Sequence, residues 1–307
     1  MFERAIDVHT HPFTDETRMG HGPSYTEAHE YFGSSSESAH ASGGHRAKSI
    51  DESYAELKEG GVVRRAVVVN MNACTTYGRA LANDYIARYV REHPDLYIGF
   101  GSVDPNMPRR RAVDEVRRCK EELGLTGLKF HPAYQEFFPN DHEKAYPIYE
   151  ECVRLGMPVL FHTGTTRMTR CNIRSCKPEY LDEVATDFPE LRIIMSHFGW
   201  PWTEESLAVL WRHEHVYMDL SGWMPKYIYG AQPIVFQYMN TVLQDKFVFG
   251  SDYPAITPQN WLRQFRTYAE EGFEWGGSHH VLSAQTVEKF LWLNPIRALG
   301  LDPAALD

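Results

Sequence analysis

The stretch AIDVHTH, residues 5–11, carries two histidines on an apolar run near the start of the chain. Side chains two residues apart on an extended strand project from the same face, so His9 and His11 can reach one cation together. Three further apolar runs end in a residue type that binds metals: PVLFHTG (158–164) carries His162, IIMSHFG (193–199) carries His197 and FVFGSDYP (247–254) carries Asp252. One histidine at a strand end is usually structural, but this repetition predicts a shared site, because a common cation would offset the desolvation of all the polar ends.

The donor types indicate which ion such a site would hold. Imidazole nitrogen and carboxylate oxygen together suit zinc, manganese or iron better than calcium or magnesium. We therefore expect a divalent metal cofactor, with zinc as the first choice and manganese or iron as alternatives.

Strand-like and helix-like segments alternate along the chain. Eight apolar runs predict strands at residues 4–9, 63–70, 96–102, 126–131, 157–162, 192–197, 216–221 and 246–251. Amphipathic segments between them, such as RRRAVDEVRRCKEELG and PEYLDEVATDFPE, predict helices. The pattern favours an α/β fold of the (β/α)8 TIM-barrel type over a doubly wound open sheet, because closure makes the first and eighth strands neighbours and brings His9 and His11 to Asp252.

Composition limits the domain count and the class of partner. The 307 residues are 43% hydrophobic without a composition break, so we expect one domain over residues 1–307. Residues 13–49 are rich in glycine, serine and histidine, which predicts a lid or an active-site loop inserted after strand 1. Its histidines, His21, His29, His40 and His45, are irregularly spaced and are expected to be solvated.

The net charge of −10 argues against nucleic acid and anionic membranes as partners, so a small molecule is expected. We expect neither a membrane span nor a signal peptide, and the cysteines number five and are scattered. These features predict a cytoplasmic protein. Sequence leaves the oligomeric state open, a homo-oligomer included.

The order of HTH, GLKFHP, FHTG, SHFGWPW, GSDYP and KFLWLNPIRALGL resembles the amidohydrolase superfamily, in its amidohydrolase-2 branch of metal-dependent hydrolases and nonoxidative decarboxylases. The resemblance covers nearly the whole chain. It implies metal ligation by His9, His11, His162 and Asp252, with His197 as a further ligand or as an acid/base group. It also raises the carboxylation of Lys129, although an unmodified lysine that pairs with substrate or with a carboxylate is preferred.

Further residues are candidates for binding the substrate. Lys129 and His131 share a face if strand 4 is regular, and His131 either binds substrate or caps the strand. Arg167 and Arg170, in the loop TTRMTRCNIRSCKPEY after His162, could bind an anion or pair with acidic neighbours such as Glu179 and Asp182. The aromatic residues near strand ends predict either a pocket wall or packing between loops: Trp200, Trp202, Trp223, Tyr253 and Phe137.

Two reactions fit these residues. The preferred one is hydrolysis of a small carbonyl substrate by metal-activated water, including cleavage of a C–C bond in a β-ketoacyl or aromatic catabolic intermediate, with Asp252 accepting the proton of water and His197 polarising the carbonyl. Its alternative is nonoxidative decarboxylation of an aromatic or unsaturated acid. FHTG and SHFGWPW resemble the hydrolase-type members more than the decarboxylases, which commonly show HP where this chain has Thr163 and Gly164. A noncatalytic scaffold is the third hypothesis, which a missing ligand would have favoured.

Overall fold

The computed structural model describes residues 2–20, 47–78 and 80–306. Most of the predicted lid, residues 13–49, and its four histidines therefore lie outside the described residues. Within the described ranges, no helix is long and apolar enough to cross a membrane.

Eight parallel strands form one sheet in the order in which they occur along the chain. They are β1 (Ala5–Thr10), β2 (Val63–Val69), β3 (Tyr97–Gly101), β4 (Gly127–Phe130), β5 (Val159–Phe161), β6 (Ile193–Met195), β7 (Val216–Asp219) and β8 (Phe247–Val248). Each lies within or next to a strand predicted from the sequence. Their near-continuous apolar character reflects burial on both faces, by the barrel interior and by the outer helices.

Backbone hydrogen bonds join the first strand to the segment that follows the last one. Val8 donates its amide hydrogen to the Phe249 carbonyl (2.9 Å), Asp252 donates to His9 (2.9 Å) and His11 donates to Tyr253 (2.7 Å). These contacts close the sheet on itself, so the architecture is the predicted (β/α)8 barrel rather than an open sheet.

Helices connect the strands on the outside. They are α1 (Asp15–Gly20), α2 (Ile50–Lys58), α3 (Cys74–Tyr77), α4 (Asn83–Glu92), α5 (Arg109–Glu121), α6 (Tyr146–Leu155), α7 (Glu179–Asp187), α8 (Thr203–Arg212), α9 (Pro225–Ala231), α10 (Ile234–Asn240), α11 (Pro258–Arg266), α12 (Ala284–Glu288) and α13 (Asn294–Leu299). π-Helical turns follow α11 and α12, at Thr267–Glu271 and Lys289–Leu293. An antiparallel hairpin of β9 (Phe273–Trp275) and β10 (Ser278–His280) stands apart from the barrel sheet.

The hydrophobic core has two layers. Alternate strand residues such as Ala66 and Val68 pack outward against the helices, while Ile6, Val67 and Val248 fill the barrel. Trp292, Ile296 and Leu299, from the C-terminal helical segment, join the interior cluster, and Arg4 ahead of β1 stacks on Trp292 at 4.6 Å. The C-terminal segment therefore closes the amino end of the barrel, and the carboxyl end is left for the polar residues.

Candidate active site

The predicted ligands gather at the carboxyl end of the barrel. His9 lies within β1, while His11 and His162 are the first residues after β1 and β5. His197 and Asp252 lie slightly beyond β6 and β8, because their φ angles of 61° and 67° fall in the left-handed region and cannot continue a strand. Strand 6 was therefore predicted too long at this end, and strand 8, predicted to residue 251, ends at Val248, well before Asp252.

His9, His11 and Asp252 form a group whose ligand atoms lie within 4.8 Å of one another. His11 Nε2 is 3.2 Å from Asp252 Oδ1, and His9 Nε2 is 3.7 Å from the same oxygen. Donors held about 2.1 Å from one ion lie about 3.0–3.4 Å apart, so these separations are close to those of a coordination shell. Imidazole and carboxylate are also the donor set expected for a transition-metal ion. The group thus fits a divalent metal, although ligation itself stays a prediction.

Asp219, at the end of β7, supports this group and was missed from the sequence. Its carboxylate is fully buried, and Oδ2 accepts a hydrogen bond from His9 Nδ1 at 3.0 Å, which directs His9 Nε2 toward Asp252. Burial alone would raise the pKa of Asp219, but His9 and Ser221 outweigh it and hold the pKa well below its usual range. Burial in turn lowers the pKa of His9 to about 3. A buried carboxylate behind a histidine is a common support for a metal ligand.

His162 lies beside His197 rather than within the group of His9, His11 and Asp252. Its Nε2 is 2.9 Å from the Thr165 carbonyl oxygen, and its Nδ1 is 3.2 Å from His197 Nε2. His197 Nδ1 is in turn 3.1 Å from the Ser221 carbonyl oxygen. Because a carbonyl oxygen only accepts, the three contacts require three protons, and two neutral imidazoles carry two. Burial lowers the pKa of His162 well below its ordinary value, so the contact between His162 and His197 lacks a hydrogen unless another group supplies it.

Asp252 is held as an anion. Burial would raise its pKa, but the hydrogen bond from His11 and the charges of His197 and His9 outweigh burial and hold the pKa well below its usual range. A carboxyl group in this state accepts protons poorly and has none to donate. An anionic carboxylate can hold a cation, and the acid/base role predicted for Asp252 stays a prediction.

Lys129 and His131 both point into the barrel mouth from β4 and its end. Lys129 Nζ lies 3.1 Å from His9 Nε2 and 3.4 Å from Ser196 Oγ, and burial lowers its pKa to about 7. Among the described residues its direct partners are thus an imidazole and a hydroxyl, not the carboxylate that the sequence suggested. A cation on His9 would compete with Lys129 for the lone pair of Nε2, and Ser196 offers the lysine another partner.

Another carboxyl group, Asp7, lies beneath the site and was also missed from the sequence. It is fully buried, and its Oδ1 accepts hydrogen bonds from the amides of His9 (3.2 Å) and Ser251 (3.0 Å). Burial raises its pKa to about 7. Asp7 precedes His9 by two residues, and the strand pairing is irregular between Asp7 and Thr10.

The loop residues predicted to bind substrate differ in their burial and in their contacts. Trp200 and Trp223 are partly buried, with ring centroids 5.1 Å apart. Arg167 and Arg170 have exposed side chains, and Lys177 pairs with Glu179 at 3.6 Å. Two of the aromatic candidates belong to the core instead of a pocket wall: Phe137 packs on Phe130, and the Tyr253 hydroxyl donates to Glu56 at 2.6 Å.

Residues 6–301 match the sequence profile of the amidohydrolase family. The chain belongs to the amidohydrolase family. The family membership that the motifs predicted is thereby confirmed over nearly the whole chain.

Three curated relatives share about a quarter of their aligned residues with this amidohydrolase. 2-Amino-3-carboxymuconate-6-semialdehyde decarboxylase of Dictyostelium discoideum is 26% identical over 261 residues, which cover 72% of this chain and 66% of the relative. Gamma-resorcylate decarboxylase of Rhodococcus jostii is 26% identical over 44% of this chain and 47% of its own. 2-Keto-4-carboxy-3-hexenedioate hydratase of a Sphingobium strain is 28% identical over 38% of this chain and 39% of its own. The alignments thus span less than two thirds of the relatives' lengths.

Solved structures show the same fold at lower identity. An uncharacterised TIM-barrel protein of Bordetella bronchiseptica has a TM-score of 0.75 at 23% identity, covering 97% of this chain and 98% of the other. 5-Carboxyvanillate decarboxylase of Novosphingobium aromaticivorans, with bound manganese, has a TM-score of 0.64 at 18% identity, covering 97% of each chain. These likenesses confirm the predicted barrel.

Proposed function

We propose that this amidohydrolase is a metal-dependent nonoxidative decarboxylase of a small aromatic or unsaturated carboxylic acid. The proposal reverses the order of preference reached from the sequence alone, where hydrolysis came first. What supports it is the relative with the longest of the three alignments, a decarboxylase aligned over 72% of this chain, together with a second decarboxylase.

The sequence feature that favoured hydrolysis has a structural explanation. Gly164 has a φ of 86°, and a Cβ atom added there would lie 2.3 Å from the Trp200 carbonyl oxygen. That carbonyl accepts a hydrogen bond from the Thr165 amide at 2.7 Å, so the loops after β5 and β6 touch at this point. The glycine is therefore required by the contact between the two loops, and its presence says little about the reaction.

The group His9, His11 and Asp252 would hold the metal, and His162 would join it only by giving up its contact with His197 or Thr165. When bound, a divalent cation would hold the substrate carboxylate and a neighbouring oxygen and withdraw electron density from them. The spacing of His9, His11 and Asp252 about one point supports the metal dependence in this proposal, while the choice of decarboxylation rests on the two decarboxylase relatives.

The chain itself must supply one proton. When the bond to the carboxylate breaks, CO2 leaves, the electron pair stays on the substrate carbon, and that carbon takes up a proton. We assign this role to His197 because its ring lies beside the candidate ligands, 5.1 Å from that of His9 between centroids, and its Nε2 lies 3.2 Å from His162 Nδ1. Asp252, held as an anion, has no proton to donate.

The test uses protein loaded with Mn²⁺ or Zn²⁺ and acids labelled with ¹³C at the carboxyl group. We expect labelled CO2 from 2,6-dihydroxybenzoate, 5-carboxyvanillate or a related acid, and a decrease in kcat of about 10²- to 10⁴-fold in His197→Asn with unchanged metal content. His279→Asn, at an exposed histidine of the β9–β10 hairpin, is the matched control. Incorporation of ¹⁸O from water into 2-pyrone-4,6-dicarboxylate, without CO2 from any acid, would establish hydrolysis instead.

A further inference from the structure

The hydrogen bonding of His131 fixes the position of its proton. The backbone amide of Tyr134 donates to His131 Nδ1 at 3.2 Å, so Nδ1 carries a lone pair. In a neutral imidazole the other nitrogen then carries the hydrogen. His131 Nε2 is therefore an N–H donor.

This donor is buried without a hydrogen-bond partner among the residues that the structure describes. The side chain as a whole is 2% exposed. An unpaired buried donor costs about 1–3 kcal/mol, and most native proteins avoid it. A group kept in this state at the mouth of a barrel is suited to bind something that arrives there.

The orientation of the ring indicates where the donor points. His131 follows β4 and lies on the same strand face as Lys129, whose Nζ contacts His9. Its ring stacks on that of His162, with centroids 3.9 Å apart and an angle of 9°. Because Nδ1 is turned to Tyr134 in the loop, Nε2 lies at the other side of a ring that stacks on His162, one of the candidate ligands.

We propose that His131 binds the substrate by donating its Nε2–H hydrogen bond to an acceptor oxygen, such as a carboxylate, phenolate or carbonyl oxygen. Resting on the proposed function, this assigns the site to acids that present an acceptor oxygen beside the one held by the metal. A ligand with an ammonium group at that position is rejected, because two donors would face each other.

The experiment separates the donor from the shape of the side chain. His131→Gln can place an amide N–H near the position of Nε2, His131→Asn places one near that of Nδ1, and His131→Leu places none. Dissociation constants of Mn²⁺ and of an acid are measured by calorimetry on Mn²⁺-loaded protein, with His279→Gln, at an exposed position of the β9–β10 hairpin, as the control. The acid is the first of 2,6-dihydroxybenzoate, 5-carboxyvanillate and 2-pyrone-4,6-dicarboxylate that wild type binds.

We expect acid binding to weaken roughly 10- to 100-fold in His131→Leu and His131→Asn, to stay within a few-fold of wild type in His131→Gln, and Mn²⁺ binding to stay unchanged in all. Equal acid binding by all variants, or a parallel loss of Mn²⁺, overturns the inference. If acid binding depends on His131 but no acid releases CO2, the inference stands and the proposed reaction fails. If wild type binds no acid, both fail.

Discussion

Asp219 joins three parts of the candidate site through a single carboxylate. Oδ2 accepts from His9 Nδ1, while Oδ1 accepts from the backbone amides of His197 and Ser221, each at 2.9 Å. Ser221 Oγ also donates to Oδ1 at 2.6 Å. One side chain therefore sets both the ring orientation of His9 and the left-handed turn that presents His197.

Replacing Asp219 with Asn should weaken Mn²⁺ binding about 10- to 100-fold, the usual effect of removing a carboxylate that supports a ligating histidine. The amide keeps one acceptor oxygen but cannot serve His9 and His197 together. Competition with a chromophoric chelator measures the affinity, and Asp114→Asn, at an exposed position on α5, controls for the lost charge. An unchanged affinity would show that His9 is oriented without Asp219.

Asp7 gives the stability of the protein a dependence on pH. Its pKa is about 7 in the folded protein against an ordinary value of 3.8, so the folded state binds the proton more tightly than the unfolded state. Unfolding therefore releases a proton between about pH 4 and pH 7, and stability falls as the pH rises through this range. Above pH 7 the loss is complete, because both states are ionised.

Asp7→Asn has no such proton, so the free energy of unfolding of the variant minus that of wild type should increase by about 3 kcal/mol from pH 5 to pH 8. Urea denaturation of chelator-treated protein at the two pH values measures it, again with Asp114→Asn beside it. A difference that does not change with pH would mean that Asp7 is already ionised in the folded protein at pH 5.

The sequence predicted the site histidines and Asp252, but it did not predict the buried carboxylates that contact them. His9, His11, His162 and His197 stand out because imidazole is rare at the ends of apolar runs. Asp219 ends a similar run, VYMDLSG, yet one carboxylate there carried no signal of which histidine it contacts. Asp7 carried no signal of its own, because its burial depends on the closed barrel.

At the scale of elements, α2 links the loop after β1 to the candidate site. Ser49 Oγ accepts from the Glu52 amide at 3.1 Å, and the Glu52 carboxylate accepts from the Ser49 amide at 2.8 Å, which together form a capping box. One turn later, the Glu56 carboxylate accepts a hydrogen bond from the hydroxyl of Tyr253, the residue after Asp252. The same carboxylate pairs with Lys48. The start of this helix is thus fixed close to the base of the inserted loop.

Ser49→Ala should lower the free energy of unfolding by about 1 kcal/mol, because the first turn of α2 loses its side-chain acceptor. Chemical denaturation measures the change, with Ser278→Ala at an exposed position of the β9–β10 hairpin as control. The Ser-x-x-Glu spacing was readable in the sequence. A variant as stable as wild type would mean that water replaces the cap.

At the scale of the whole molecule, the C-terminal segment closes the end of the barrel opposite the site. Asn294 is fully buried, and its Nδ2 donates to the carbonyl oxygens of Phe247 (2.9 Å) and Gln244 (2.8 Å). Asp245, beside them, pairs with Lys289 and Arg297. These contacts attach the segment to the start of β8.

Asn294→Ala should lower the free energy of unfolding by about 2 kcal/mol, because two carbonyl groups lose a donor that water cannot readily replace. Thermal and urea unfolding measure it, with Gln285→Ala on the exposed side of α12 as control. Mn²⁺ affinity should not change, since the segment lies at the other end of the barrel. A loss of Mn²⁺ affinity would show that the two ends are coupled.

The barrel as a whole was predictable because eight apolar runs alternate with amphipathic segments, and each run matches one strand. The KFLWLNPIRALGL motif contributed only to the family resemblance and did not predict where this segment packs. Its packing into the barrel depends on Trp292 and Ile296 meeting Ile6, a contact between the two ends of the chain that no local pattern encodes. The β9–β10 hairpin was also missed, because each of its strands is three residues long.

The hydrogen bonds between β1 and the residues after β8 have a consequence for biosynthesis. His11 and Asp252 come together only where β1 meets the residues after β8. The ribosome must therefore synthesise β8 and Asp252 before both residues can bind the proposed ion. Shorter nascent chains hold the two histidines but lack the carboxylate. The proposed ion site therefore cannot form before residue 252 has been synthesised.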